Sequence, residues 1–130
     1  MKPNPFVAAV ALFSCLAATA QTSSPQVPTE FPPGAQTPTA AQLTERLTGQ
    51  TYYAHLTNGV TWRMQYNNAG YMFVDVSPGG RDTARWRAEE GRTCYEFQRA
   101  GPSCAEFRLV GDRLYLKRGT TGEVLALEKK

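Results

Sequence analysis

Ala84-Arg85-Trp86-Arg87-Ala88-Glu89-Glu90-Gly91-Arg92-Thr93-Cys94-Tyr95-Glu96-Phe97 decides the fold of this chain. Glu90-Gly91 has the residue types of a two-residue hairpin turn. Folding about it opposes Glu89 to Arg92, Trp86 to Tyr95, Arg85 to Glu96 and Ala84 to Phe97. Apolar meets apolar and charge meets opposite charge, the condition for a stable cross-strand ladder. A one-residue slip would turn the aromatic set toward water, so the register is strongly specified.

The same pattern continues on both sides. Downstream, Gly111-Asp112 aligns Leu109 with Leu114, Phe107 with Leu116, and Glu106 with Lys117. Gly119-Thr120-Thr121-Gly122 then aligns Leu116 with Leu125, Leu114 with Leu127, and Arg113 with Glu128. Upstream, a turn in residues 67–70 opposes Arg63 to Asp75, Met64 to Val74 and Trp62 to Val76. Asn58-Gly59 admits two registers. A two-residue turn sets His55 beside Trp62 and Tyr53 beside Met64, and has the better turn type. A three-residue loop opposes Leu56 to Val60, Ala54 to Trp62 and Tyr52 to Met64, gives the more apolar face, and is slightly favoured. Before the first strand, Thr39-Ala40-Ala41-Gln42 matches a capping box, Leu43 and Leu47 lie one helical turn apart, and Gly49 follows as a stop. A short helix over residues 40–48 is expected.

The fold class is therefore mainly β: about eight short antiparallel strands in meander order after one short helix. A chain of this kind must protect its strand edges, so a small barrel or strongly curved sheet is expected. Trp62, Trp86, Phe107 and the leucines would fill the interior, leaving no large ligand cavity.

Three cysteines, Cys15, Cys94 and Cys104, resolve by position. Residues 1–20 have the parts of an export signal: Lys2 at the positive end, an apolar run, and Ala18-Thr19-Ala20 before Gln21. That run is much shorter than the roughly 20 residues of a spanning helix, and no transmembrane segment is expected. In a competing reading, Cys15 carries a lipid anchor after cleavage. Both readings remove Cys15 from the thiol count and leave Cys94 and Cys104, which in an exported small domain reads as a disulfide. Strand parity places both on the outer face of adjacent strands, behind Trp86 and Phe107. Residues 21–38, with Pro25, Pro28, Pro32, Pro33 and Pro38 among Ser, Thr and Gln, read as a disordered linker. Residues 39–130 form one β-rich domain.

Removing Lys2 takes the 14 basic residues to 13 against 11 acidic ones, a balance that argues against nucleic-acid binding. Chemistry is sparse. His55 is the only histidine, so a His-based metal cluster is excluded, and in a strand between Ala54 and Leu56 it reads as packing or surface. The Cys94–Cys104 spacing lacks the short arrangement that tunes a redox thiolate. Glu89 and Glu90 read as solvated turn charges, and Asp75 and Asp82 flank the loop Ser77-Pro78-Gly79-Gly80. No phosphate loop, nucleotide fingerprint or metal spacing occurs, so no cofactor, metal or catalytic set is expected. The candidate binding face is the outward stripe Arg63, Arg85, Arg87 and Arg108, joined by Arg92. Most of it has acidic neighbours, but Arg87 faces Cys94 and has none across the strands.

The runs Ala84-Arg85-Trp86-Arg87, Gly91-Arg92-Thr93-Cys94-Tyr95-Glu96-Phe97 and Cys104-Ala105-Glu106-Phe107-Arg108-Leu109 resemble a group of small exported proteobacterial β-rich proteins of unknown function. In that group a strand tryptophan is followed by two cysteines, and the resemblance covers residues 47–127. It implies a fold and a compartment but no activity or substrate. In architecture the chain also resembles periplasmic lysozyme inhibitors, small disulfide-bearing β-barrels. The functional expectation is an exported, non-catalytic binding or inhibitor module, periplasmic or secreted. It would engage an envelope protein or cell-wall component through a loop or the Arg-rich face. The alternative is a structural accessory or outer-membrane-tethered lipoprotein with no specific ligand.

Overall fold

The computed structural model describes Pro3 and residues 26–130. The export signal, its cleavage site and Cys15 lie outside the described residues. The order is one helix, α1 (Ala40–Leu47), then β1 (Thr51–His55), β2 (Thr61–Tyr66), β3 (Tyr71–Ser77), β4 (Arg81–Glu89), β5 (Arg92–Phe97), β6 (Gly101–Val110), β7 (Arg113–Lys117), β8 (Val124–Ala126) and β9 (Glu128–Lys129). All pairings are antiparallel, and β1 to β8 neighbour one another in chain order.

β8 and β9 are one strand interrupted at Leu127, whose N–H donates to the Leu114 carbonyl. β8 pairs with β7, while β9 crosses to pair with β1, setting Tyr53 opposite Glu128. The last strand therefore bridges the first and seventh and nearly closes the sheet into a barrel. This handover explains one departure from the sequence pattern. Glu128 was expected opposite Arg113, but the switch at Leu127 carries it to β1, where its carboxylate lies 3.6 Å from His55.

The remaining registers follow strand parity. Trp86 opposes Tyr95, Arg85 opposes Glu96, Phe107 opposes Leu116 and Met64 opposes Val74. The β1–β2 hairpin takes the three-residue loop: Leu56 donates to the Val60 carbonyl and Ala54 opposes Trp62. Cys94 and Cys104 oppose each other directly on β5 and β6 and form the disulfide. Cys94 shares a register with the exposed Arg87 and Cys104 but is itself buried, 3 % exposed.

α1 closes one end of the barrel. Thr39 caps it by accepting from the Gln42 N–H, and the Gln42 side chain accepts from the Thr39 N–H. These bonds satisfy two of the donors that a helix start leaves open. Leu43 and Leu47 are fully buried in the barrel core, and the Tyr52 hydroxyl donates to the Arg46 carbonyl at 2.6 Å. Truncating either leucine to alanine would cost about 2–5 kcal/mol by lost burial and cavity formation.

Residues 26–38 are not a free linker but a strap on the barrel wall. β6 runs past the end of the β4–β5 hairpin and leaves an unpaired edge at Leu109. Gln36 fills that edge with two backbone hydrogen bonds of 2.7 and 2.9 Å. Pro28 accepts from the Val124 N–H, and Pro38 accepts from the Gly91 N–H. Phe31 lies under the guanidinium of Arg108, 5.2 Å from its ring centroid, and near Lys117. The strap is ordered by backbone pairing with an exposed strand edge, which stabilises a segment with no apolar periodicity.

Candidate functional site

Chain direction sorts the loops into two ends. The turns at residues 67–70, 90–91 and 111–112 lie at the end closed by α1. Those at residues 56–60, 78–80, 98–100 and 118–123 surround the opposite end, which α1 does not cover. There a cavity of about 400 Å³ opens into the barrel. Its walls are Trp62, Met64, Met72, Val74, Val76, Tyr95, Phe97, Ala105 and Leu116, all on the inward face. Its polar lining comes from Asp82, opposite Val74, from Ser103, opposite Tyr95, and from Arg118 and Thr120 of the 118–123 loop.

Trp62 and Trp86 do not fill the interior as expected; both are only partly buried. The Tyr66 ring meets Trp86 edge-on at 5.1 Å, and its hydroxyl shares a 2.7 Å hydrogen bond with the Tyr95 hydroxyl. Trp62 sits higher, beneath the rim, with the Arg118 guanidinium 4.9 Å above its ring. A cavity therefore remains between the upper aromatic residues. Burial pushes both the Tyr66 and Tyr95 phenols up from their ordinary value, so both stay protonated hydrogen-bond partners.

Two acidic residues organise the rim, and neither is free. Glu123 is 5 % exposed; its Oε1 accepts from the Thr57 N–H at 2.9 Å and the Thr57 hydroxyl at 2.8 Å, while Oε2 lies 3.4 Å from Arg118. Burial alone would raise its carboxyl; the Thr57 donors and Arg118 outweigh that and hold it below the ordinary glutamate value. This latch ties the 118–123 loop to the 56–60 loop. Asp82 accepts from the backbone N–H groups of Thr83, Arg99 and Ala100. Burial acts to raise it as well, but the Ala100, Thr83 and Arg99 donors hold it below the ordinary aspartate value. Asp82 thus shapes the 98–100 loop. Asp75 pairs with Arg63 and Arg81 on the outer wall, and the Ser77–Pro78 peptide between them is cis.

The Arg-rich stripe is spread over the outer wall, and each member has an intramolecular partner. Arg63 lies 3.6 Å from Asp75. Arg85 is opposite Glu96 as expected, yet its guanidinium lies over the Tyr71 ring and donates to that hydroxyl. Arg87 is not partnerless, because Glu89 on the same strand face lies 3.3 Å away and also pairs with Arg92. The two-residue spacing along one strand, rather than a cross-strand contact, supplies that partner. Arg108 donates to the carbonyls of Gly91 and Phe107 and holds Phe31, so it clamps the strap and its side chain is only 23 % exposed. Phe73, 42 % exposed, is the one large apolar side chain exposed on this wall among the described residues.

A second cleft, of about 680 Å³, lies beside α1 and is lined by mixed charges, including Glu45, Arg46, Asp112, Arg113, Glu128 and Lys129. Arg46 closes part of it by donating to the Asp112 carbonyl. Among the described residues, no three or more His, Cys, Asp or Glu are placed to share a metal ion, and no helix is long and apolar enough to cross a membrane. His55 is on the outer wall, hydrogen-bonded to Thr61 and close to Glu128.

The mouth was not expected from the sequence. Its signals were the inward parity of Trp62, Val76 and Phe97 at strand ends and a glutamate closing the glycine-rich loop at 119–122. Comparison with protein-family models, curated proteins and solved structures returns no match for this chain.

Proposed function

We propose that this protein is an exported, non-catalytic binding module of the bacterial envelope and that the open mouth of its barrel is the binding element. The observation that carries this reading is the cavity itself: a mainly apolar hollow in the low range of small-ligand sites, bordered by latched loops. The scaffold is well suited to holding a site rigid. A near-closed sheet, a disulfide across β5 and β6, and the Glu123 latch all limit loop rearrangement. The Arg-rich wall is the weaker candidate, since its cations are already engaged with carboxylates, carbonyls or rings.

Capture from periplasmic extract tests the reading with three forms of the protein: wild type, Ala100→Trp across the mouth, and Arg85→Glu with Arg87→Glu on the wall. Loss of the bound species in Ala100→Trp alone supports the mouth. Loss in the charge-reversed form alone returns the function to the arginines. For export, intact mass should show a chain starting at Gln21 and lighter than the reduced form by two hydrogens. A diacylglycerol mass on Cys15 would instead support the tethered alternative.

A further inference from the structure

We propose that the mouth binds a single-chain amphiphile with an anionic, oxygen-bearing head, such as a fatty carboxylate, tail first. This rests on the mouth being the binding element and adds the ligand class.

The tail assignment follows from the walls. Inside the mouth the lining is mainly apolar, from Trp62, Met64, Met72, Val74, Val76, Phe97 and Leu116, and the Tyr95 hydroxyl is already bonded to Tyr66. A sugar or peptide backbone entering there would leave most of its polar groups without partners. An alkyl chain loses nothing and removes apolar wall from water. Met64 and Met72 line this depth, and their unbranched thioethers adapt to chains of different shape. A dead end that opens on one side admits a chain by its apolar end and leaves the head at the rim.

The head assignment follows from which rim groups are already occupied. Both Glu123 oxygens are engaged, by Thr57 and Arg118, and the Asp82 carboxylate takes three backbone N–H donors. The oxygens of both carboxylates are thus already taken up by protein donors. Arg118 differs. Its Nη1 reaches Glu123, while its Nε and Nη2 donate to no group among the described residues. The guanidinium is held in place by Trp62 below and Glu123 beside it, with donors left for a planar carboxylate, the geometry at which arginine excels.

The test is a titration of the disulfide-intact protein with dodecanoate below its micelle-forming concentration. It is followed by tryptophan emission and calorimetry, with dodecanol and dodecyltrimethylammonium as head-group controls. Dodecanoate should bind one to one and shift the emission to the blue. Arg118→Met should weaken dodecanoate about tenfold or more, the loss of roughly one charge-assisted contact, and dodecanol much less. Ala100→Trp should abolish binding of both while melting at the wild-type temperature. The assignment is overturned if dodecanoate leaves the emission unchanged, if dodecyltrimethylammonium binds as well as dodecanoate, or if Arg118→Met weakens dodecanol equally. If dodecanoate fails while Ala100→Trp still abolishes capture from extract, the ligand class falls and the mouth stands.

Discussion

Replacing Cys94 and Cys104 together by alanine should lower stability without touching the mouth. The bridge closes a loop with a sequence separation of 10. By the chain-entropy relation, a loop of that length is worth about 2.5–3 kcal/mol, mostly through the freedom it denies the unfolded chain. The folded state loses little, because both residues oppose each other on the outer face of a ladder that stays paired at five further positions. For a domain of this size the loss corresponds to a fall of roughly 10–20 °C in melting temperature. Urea and thermal denaturation by circular dichroism should agree on that figure. Wild type reduced with dithiothreitol should match the double variant, and the position of tryptophan emission in the folded state should not move. A loss under about 1 kcal/mol would refute the reasoning. It would mean that the tight 98–100 loop keeps β5 and β6 together in the unfolded chain without the bond.

Glu123→Gln should remove an acid-sensitive part of the stability. A carboxyl held below its ordinary value stabilises the fold while ionised, and that contribution disappears as pH falls from the ordinary glutamate range through the lowered folded value. Stability against pH should therefore be flatter in the variant over that window, and an unchanged acid slope would contradict the latch. Gly91→Ala should destabilise the strap, because Gly91 has φ +69° and an added Cβ would lie 2.8 Å from Thr37 Cγ2. The loss should be about 1 kcal/mol or more, with faster amide exchange at Gln36 as its local sign. Tyr66→Phe would leave the buried Tyr95 hydroxyl without its partner and should cost about 1–3 kcal/mol in the same unfolding assay.

Much of the fold was legible because strand parity and cross-strand charge act together. Ala84 to Phe97 alone specified one hairpin, and the Gly111 and Gly119 turns extended its face. The capping box at Thr39 and Gln42 likewise announced α1. What stayed hidden depends on contacts remote in sequence. Residues 26–38 have no period to read, and only the edge left free at Leu109 gives their backbone partners. For the same reason Arg108 read as a surface cation, although Phe31 and two carbonyls hold it in the wall. Parity assigned Trp62 to the inside but could not say how high in the barrel its ring would sit. That height, beneath Arg118, separates a filled core from an open mouth. Glu123 follows a glycine-rich loop and looks like any solvated turn charge until Thr57 is seen donating to it twice.

The most direct measurement is the footprint of dodecanoate on the backbone amides of the folded protein by nuclear magnetic resonance titration. The account places the largest shifts at Trp62, Val76, Phe97, Ala100 and Arg118, around the mouth, with Arg85 and Arg87 unmoved. A footprint centred on Arg85 and Arg87 with a silent mouth would contradict it and return the binding function to the arginine wall.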